Sequence, residues 1–176
     1  MKKLIFFTSL FVSLAAHADL FRSTLVQLNT IYLTRDYNDN GAIFQDKITD
    51  TDFRLIRVEK EWAYGLTYAL SANDSSDAHR TSLGLTLGYY SEKDFYLNYT
   101  YFPSSKYAFG GTEYKGSGYE FDLGFLSKVT SSFYVGLVFA IKNFTYTDAT
   151  TNGVDSSVNS TQKEVIPMFS FAVDFM

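Results

Sequence analysis

The chain has no cysteine, two prolines and one tryptophan among its 176 residues. Without cysteine, a disulfide-stapled scaffold and a thiolate-held zinc or iron–sulfur centre are excluded. Charge is sparse. Asp, Glu, Lys and Arg make up 19% of the chain, below the roughly 25% that is usual. Net charge is −4 and the pI is near 5.1, so nucleic acid is not an expected partner. No apolar run reaches the 18 or so residues that a membrane-spanning helix needs. What abounds is aromatic: 14 Tyr and 17 Phe in a chain that is 46% hydrophobic, which excludes a disordered chain. Nothing in this inventory calls for a cofactor or a metal.

The first segment reads as an address. Lys2 and Lys3 precede an apolar stretch over residues 4–16, and Ala16-His17-Ala18 has the small-x-small form of a cleavage site. This predicts a Sec-type signal peptide over residues 1–18, cleaved after Ala18, and one domain over residues 19–176.

The remainder alternates with period 2, the mark of half-buried strands. Trp62, Tyr64, Leu66, Tyr68 and Leu70 share one face; Ala63, Gly65, Thr67, Ala69 and Ser71 share the other. The same two-faced pattern runs through residues 80–90, 95–102, 118–127, 132–142 and 164–176. Residues 23–35 set Val26, Leu28, Thr30 and Tyr32 against Gln27, Asn29 and Ile31. In residues 51–58 Leu55 and Ile56 are adjacent while Arg54 and Arg57 fall on opposite faces, so a bulge is expected there. Eight strands result. Tight turns are predicted at residues 59–61, 91–94 and 128–131, and long polar loops at 36–50, 73–79, 103–117 and 147–162.

Alternation also suits a soluble lipocalin-type barrel, whose apolar face lines a ligand cavity. The composition of the second face separates the two. It is mostly Ala, Gly, Thr, Ser and Asn with a few charges, which suits the narrow, side-chain-filled lumen of eight strands. The expectation is therefore an all-β, eight-stranded antiparallel transmembrane β-barrel, an up-and-down meander with the bulky residues facing lipid. Closure follows because an open sheet edge in hydrocarbon leaves backbone groups unsatisfied. Short turns on one rim and long loops on the other fit an outer membrane, with both termini periplasmic. Trp62, Tyr64, Tyr89, Phe95, Phe133 and Phe175 are expected near the short-turn rim and Tyr99, Tyr101 and Tyr119 near the long-loop rim, as aromatic girdles.

With its signal, eight strands, alternating connections and terminal aromatic strand, the chain resembles the small outer-membrane proteins of the OmpX/Ail-like and OmpA transmembrane-domain-like groups. The resemblance is architectural and covers residues 21–176. It implies a Gram-negative outer-membrane location, lipid and lipopolysaccharide as surroundings, and the barrel assembly machinery as a partner in biogenesis. Phe169, Phe171, Val173 and Phe175 resemble the C-terminal insertion signal of that class, with Met176 added after the last aromatic.

Four features are candidates for chemistry. Glu120, Asp122, Lys142, Glu164, Asp174, Arg80 and one of Arg54 or Arg57 are expected to meet inside the barrel as a charge network, because buried charges must be paired. A narrow ion or hydrophobic-ligand path is the alternative use of that interior. Asp36, Asn38, Asn40, Gly41 and Ile43 follow the start of an EF-hand calcium loop, but Lys47 stands where a bidentate Glu belongs, so an Asn/Asp-Gly turn is expected instead. His79, with Asp74, Ser75, Ser76, Asp77 and Ser82 nearby in the sequence, raises a lipid A-modifying enzyme as an alternative; no known spacing supports it, and no catalytic residue is assigned. The polar loops are the expected surface for an extracellular partner, giving a structural or adhesion-like role.

Overall fold

The computed structural model describes residues 22–39, 42–91 and 94–175 (backbone alone for 22, 35–39 and 42–46). The expected signal peptide and Met176 lie outside the described residues. Eight strands follow in order: β1 (Arg22–Asp39), β2 (Ala42–Glu59), β3 (Trp62–Asn73), β4 (Ala78–Tyr90), β5 (Phe95–Phe109), β6 (Thr112–Lys128), β7 (Phe133–Thr151) and β8 (Val154–Phe175). Each pairs antiparallel with the next, and β8 pairs with β1 to close a ring. Among the described residues there is no helix.

Paired residues can be followed around the ring from Arg22 through Glu59, Trp62, Tyr89, Leu97, Leu123, Phe139 and Pro167. The path returns to the level of Tyr32, ten residues further along β1. A stagger of this size tilts the strands by about 40°. Phe169, Phe171, Val173 and Phe175 sit on the closing seam, opposite Thr30, Leu28, Val26 and Thr24.

The expected bulge and the expected loops are corrected. Residues 51–58 contain no bulge: β2 runs in unbroken register with β1 and β3. Ile56 points inward and Leu55 outward, so the two adjacent apolar residues serve opposite faces. Arg54 is the inward arginine; Arg57 is on the outer face, where it donates to Thr24 Oγ1 (3.1 Å) and lies 3.5 Å from Glu59.

The largest correction concerns the loops. Residues 36–50, 103–117 and 147–162 are mostly strand, because antiparallel pairing continues beyond the ring. β5 and β6 are joined at Gly110–Gly111, and β7 and β8 at Asn152–Gly153. All four residues have positive φ (51° to 78°), the requirement of a type I′ hairpin turn. Backbone pairing also runs through the calcium-loop candidate, with Asp36 opposite Gln45; its side chains and residues 40–41 lie outside the described residues. Between β3 and β4 the connection is a short turn at residues 74–77.

The interior is packed by pairing small residues with large ones. A Cβ on Gly124 would run into the ring of Tyr96, which lies directly across from it. Tyr96 stacks on Tyr90 with ring centroids 5.1 Å apart and accepts a hydrogen bond from Gln27 Nε2 (2.9 Å). Gly124→Ala is therefore expected to displace that ring and destabilise the fold by about 1–3 kcal/mol, read as a lowered urea midpoint. Ala140→Gly, which adds no bulk to the interior, is expected to spare Tyr96.

Candidate functional site

The ring encloses a column of polar side chains, built from inward positions of all eight strands. At its centre, two cations meet four carboxylates. Lys142 Nζ on β7 lies 2.5 Å from Asp50 Oδ1, 2.8 Å from Asp52 Oδ1 and 3.7 Å from Glu120 Oε2. Arg54 on β2 reaches Glu120 Oε1 at 2.6 Å, Asp52 Oδ2 at 3.6 Å and, on β6, Asp122 Oδ2 at 2.5 Å. Asp52 and Glu120 thus each touch both cations, which makes a square of alternating charge. Asp50 and Asp122 hang from its two positive corners. All six side chains are at most 1% exposed.

Above the square, Arg80 on β4 donates to both carboxylate oxygens of Glu164 (2.7 and 3.1 Å) and to Gln162 Oε1 (3.1 Å). It also sits 3.6 Å from Asp50, and its guanidinium carbon lies 4.1 Å from the Phe144 ring centroid. Phe102, Phe144 and Tyr146, with Tyr107 and Tyr114 packed on them, cover this end. Hydroxyls of Thr67, Thr86 and Thr100 form a chain beside the square. Below it, Gln27 Nε2 donates to Ser170 Oγ (2.8 Å), Ser170 Oγ donates to Asn29 Oδ1 (2.7 Å), and Tyr90 Oη donates to Gln27 Oε1 (3.0 Å). Towards the short-turn end the filling is mostly apolar, from Leu25, Ile56, Val58, Leu126, Tyr134, Val138 and Met168, with Ser23, Ser132 and Asp174 as buried polar residues among them.

Glu120, Asp122, Lys142, Arg80 and Glu164 are brought together. Asp174 is not. It is ten residues further along β8 than Glu164, near the short turns, where its backbone N–H donates to Ser132 O (2.8 Å), and it belongs to no ion pair with the square. Asp50 and Asp52 are the members that the sequence reading did not pick out. Their parity with Arg54 was available, but with the strand begun at residue 51 and its face undecided, it could not be used.

On the outer face, Trp62 packs edge-on against Tyr89 (6.1 Å) at the short-turn rim, with Tyr64, Phe95 and Phe133 on the same face. Tyr99 stacks on Tyr119 (6.3 Å), with Tyr101 beside them. These three are not at strand ends, because β5 continues eight residues past Tyr101. His79 is exposed on the outer face of β4, whereas Ser82 is buried inside, bonded to Ser105 Oγ (2.8 Å). His79 and Ser82, on opposite faces of β4, therefore do not meet.

No protein-family model and no curated protein matches the chain.

Proposed function

We infer that this chain is an integral outer-membrane β-barrel of a Gram-negative envelope, with a structural and surface-interaction role. One observation carries the reading: the ring is charged inside and greasy outside. Leu66, Leu83, Leu85, Leu87, Leu137, Phe139 and Phe169 are each more than half exposed on the outer face. On β8 this face runs from Val165 to Phe175, ten residue steps. That is about 33 Å along the strand, or about 25 Å in height after tilt, the height of an apolar band in a bilayer. Water does not tolerate so large a contiguous patch on a monomer. A signal peptide cleaved after Ala18 and two periplasmic termini complete the reading. The filled interior supports a scaffold in preference to an open pore.

The surface role is supported by an open edge. β8 leaves β1 at Phe169, opposite Thr30. Among the described residues, no strand pairs with the other side of β8 from Val154 to Met168, or of β1 from Ile31 to Asp39. Such an edge is a template for strand addition by another chain.

The absence of cysteine makes a topology test simple. Ser157→Cys, on the long hairpin, is expected to react with a membrane-impermeant maleimide on intact cells. Val129→Cys, in a short turn, is expected to react only after lysis. The unboiled protein should migrate anomalously on a gel and normally after heating. Labelling of Val129→Cys alone on intact cells would reverse the orientation, and a protein found in the soluble fraction would end the reading.

A further inference from the structure

Towards the long-hairpin end the ring divides in two. β5, β6, β7 and β8 stay paired as one sheet, with bulges at the register shifts between Phe102 and Ser105, between Lys115 and Gly116 and between Tyr146 and Asp148. β1 and β2 continue as a two-stranded ribbon, because β2 meets β3 only from Ile48 onward and β1 meets β8 only up to Thr30. Bulges bend and twist the strands that carry them, and sheet and ribbon part at Thr30 and Phe169. The parting begins inside the apolar band, which on β8 runs up to Val165. The facing edges of residues 31–34 and 165–168 therefore bring backbone N–H and C=O groups to hydrocarbon, where no water satisfies them. Leu33, inward by the alternation of β1, is still 41% exposed.

The two edges are complementary in one register. Below the parting, Thr30 is opposite Phe169. Continuing that pairing sets Ile31 against Met168 and Leu33 against Ile166 on the inner face, and Tyr32 against Pro167 and Thr34 against Val165 on the outer. Next come Arg35 against Glu164 and Asp36 against Lys163, two opposite-charge pairs, each favourable directly across an antiparallel ladder. A slip of two residues either way sets Arg35 against Ile166 or Gln162, and Asp36 against Val165 or Thr161, and loses both pairs. A slip of one turns the inner residues outward. Pro167 has no N–H, which removes at most one bond of the ladder. Glu164, already held by Arg80, is 24% exposed, so it has surface left to receive a second guanidinium.

We propose that β1 zips onto β8 in this register, Ile31–Asp36 against Lys163–Met168, so that the chain's own ribbon gates the open edge. Open, as in the structure, the edge is free for strand addition; closed, it is consumed by its own chain. The ribbon is the occupant because it is already joined to β8 one residue below, at Thr30 and Phe169. Its effective concentration at the edge therefore exceeds that of a separate strand. This names the regulation of the edge inferred above, and it rests on the outer-membrane reading.

The test is disulfide trapping, which the absence of native cysteine keeps clean. Thr34→Cys/Val165→Cys sets two thiols directly opposite one another in the closed register, within disulfide reach. Mild oxidation of this variant in isolated membranes is expected to give an intramolecular disulfide, seen as a faster-migrating monomer on a heated, non-reducing gel. Thr34→Cys/Thr161→Cys, four residues out of register, is expected to cross-link at least tenfold more slowly. Adding Asp36→Lys to the matched pair is expected to slow it at least threefold, and Lys163→Asp on top of that to restore the rate. No disulfide in the matched pair, equal rates in and out of register, or a rate indifferent to the charge reversal overturns the proposal. Cross-linked dimers in place of the monomer mean that the edges pair between two copies, and overturn it too. Heat-modifiable migration of the reduced variant reports separately on the barrel reading.

Discussion

Leu85→Arg is expected to destabilise the folded protein in lipid vesicles by about 2–4 kcal/mol, the cost of a cation at mid-depth of a transmembrane β-barrel. Leu85 is 59% exposed and stands between Leu66 and Tyr101 in the middle of the band. In water the same exposed position would tolerate arginine to within about 0.5 kcal/mol, so the size of the effect measures the solvent. Thr145→Arg, on the same outer face of β7 but beyond Ile141, is expected to cost about 0–1 kcal/mol. Urea unfolding of both variants in vesicles makes the comparison. Equal, small effects would mean that the outer face does not meet lipid.

The second large effect is inside. Arg54→Leu leaves Asp122 without its cation and leaves Lys142 as the one cation touching Asp52 and Glu120, while it still shares Asp50 with Arg80. Breaking a buried pair on one side costs about 3–5 kcal/mol, because the partner's charge stays buried. Replacing both sides is milder. Arg54→Leu combined with Glu120→Gln and Asp122→Asn removes one cation and two carboxylates, and it is expected to recover at least half of the loss in urea midpoint. If the single and triple variants are equally unstable, Arg54 contributes packing and not charge.

Much of the lower half of the ring was legible in the sequence. Where outward Leu, Phe and Tyr alternate with inward Ala, Gly and Thr, as in residues 62–71, periodicity alone assigns both faces. The upper half was not. There both faces of the hairpins carry Ser, Thr, Asn and Tyr, so hydrophobic alternation fades and polar composition imitates a loop. The signals that remained were two-residue: Gly110–Gly111 and Asn152–Gly153, each suited to a left-handed turn between paired strands. The charge network was legible as a set of inward charges, but its geometry depends on register. Asp50 and Asp52 join it only because β2 begins well before residue 51, and Asp174 leaves it because β8 is 22 residues long. The bulges above the band were not legible, since they depend on how three neighbouring strands accommodate one another.

β2 and β6 are four places apart in an eight-membered ring, so the contact of Arg54 with Glu120 and Asp122 crosses the full diameter. It acts as a crossbar. Sideways pressure that would flatten the cylinder must compress that strut or pull it apart, and Lys142, bracing it from β7, resists shear as well. A hollow ring of the same stagger would ovalise easily; this one is held round from within.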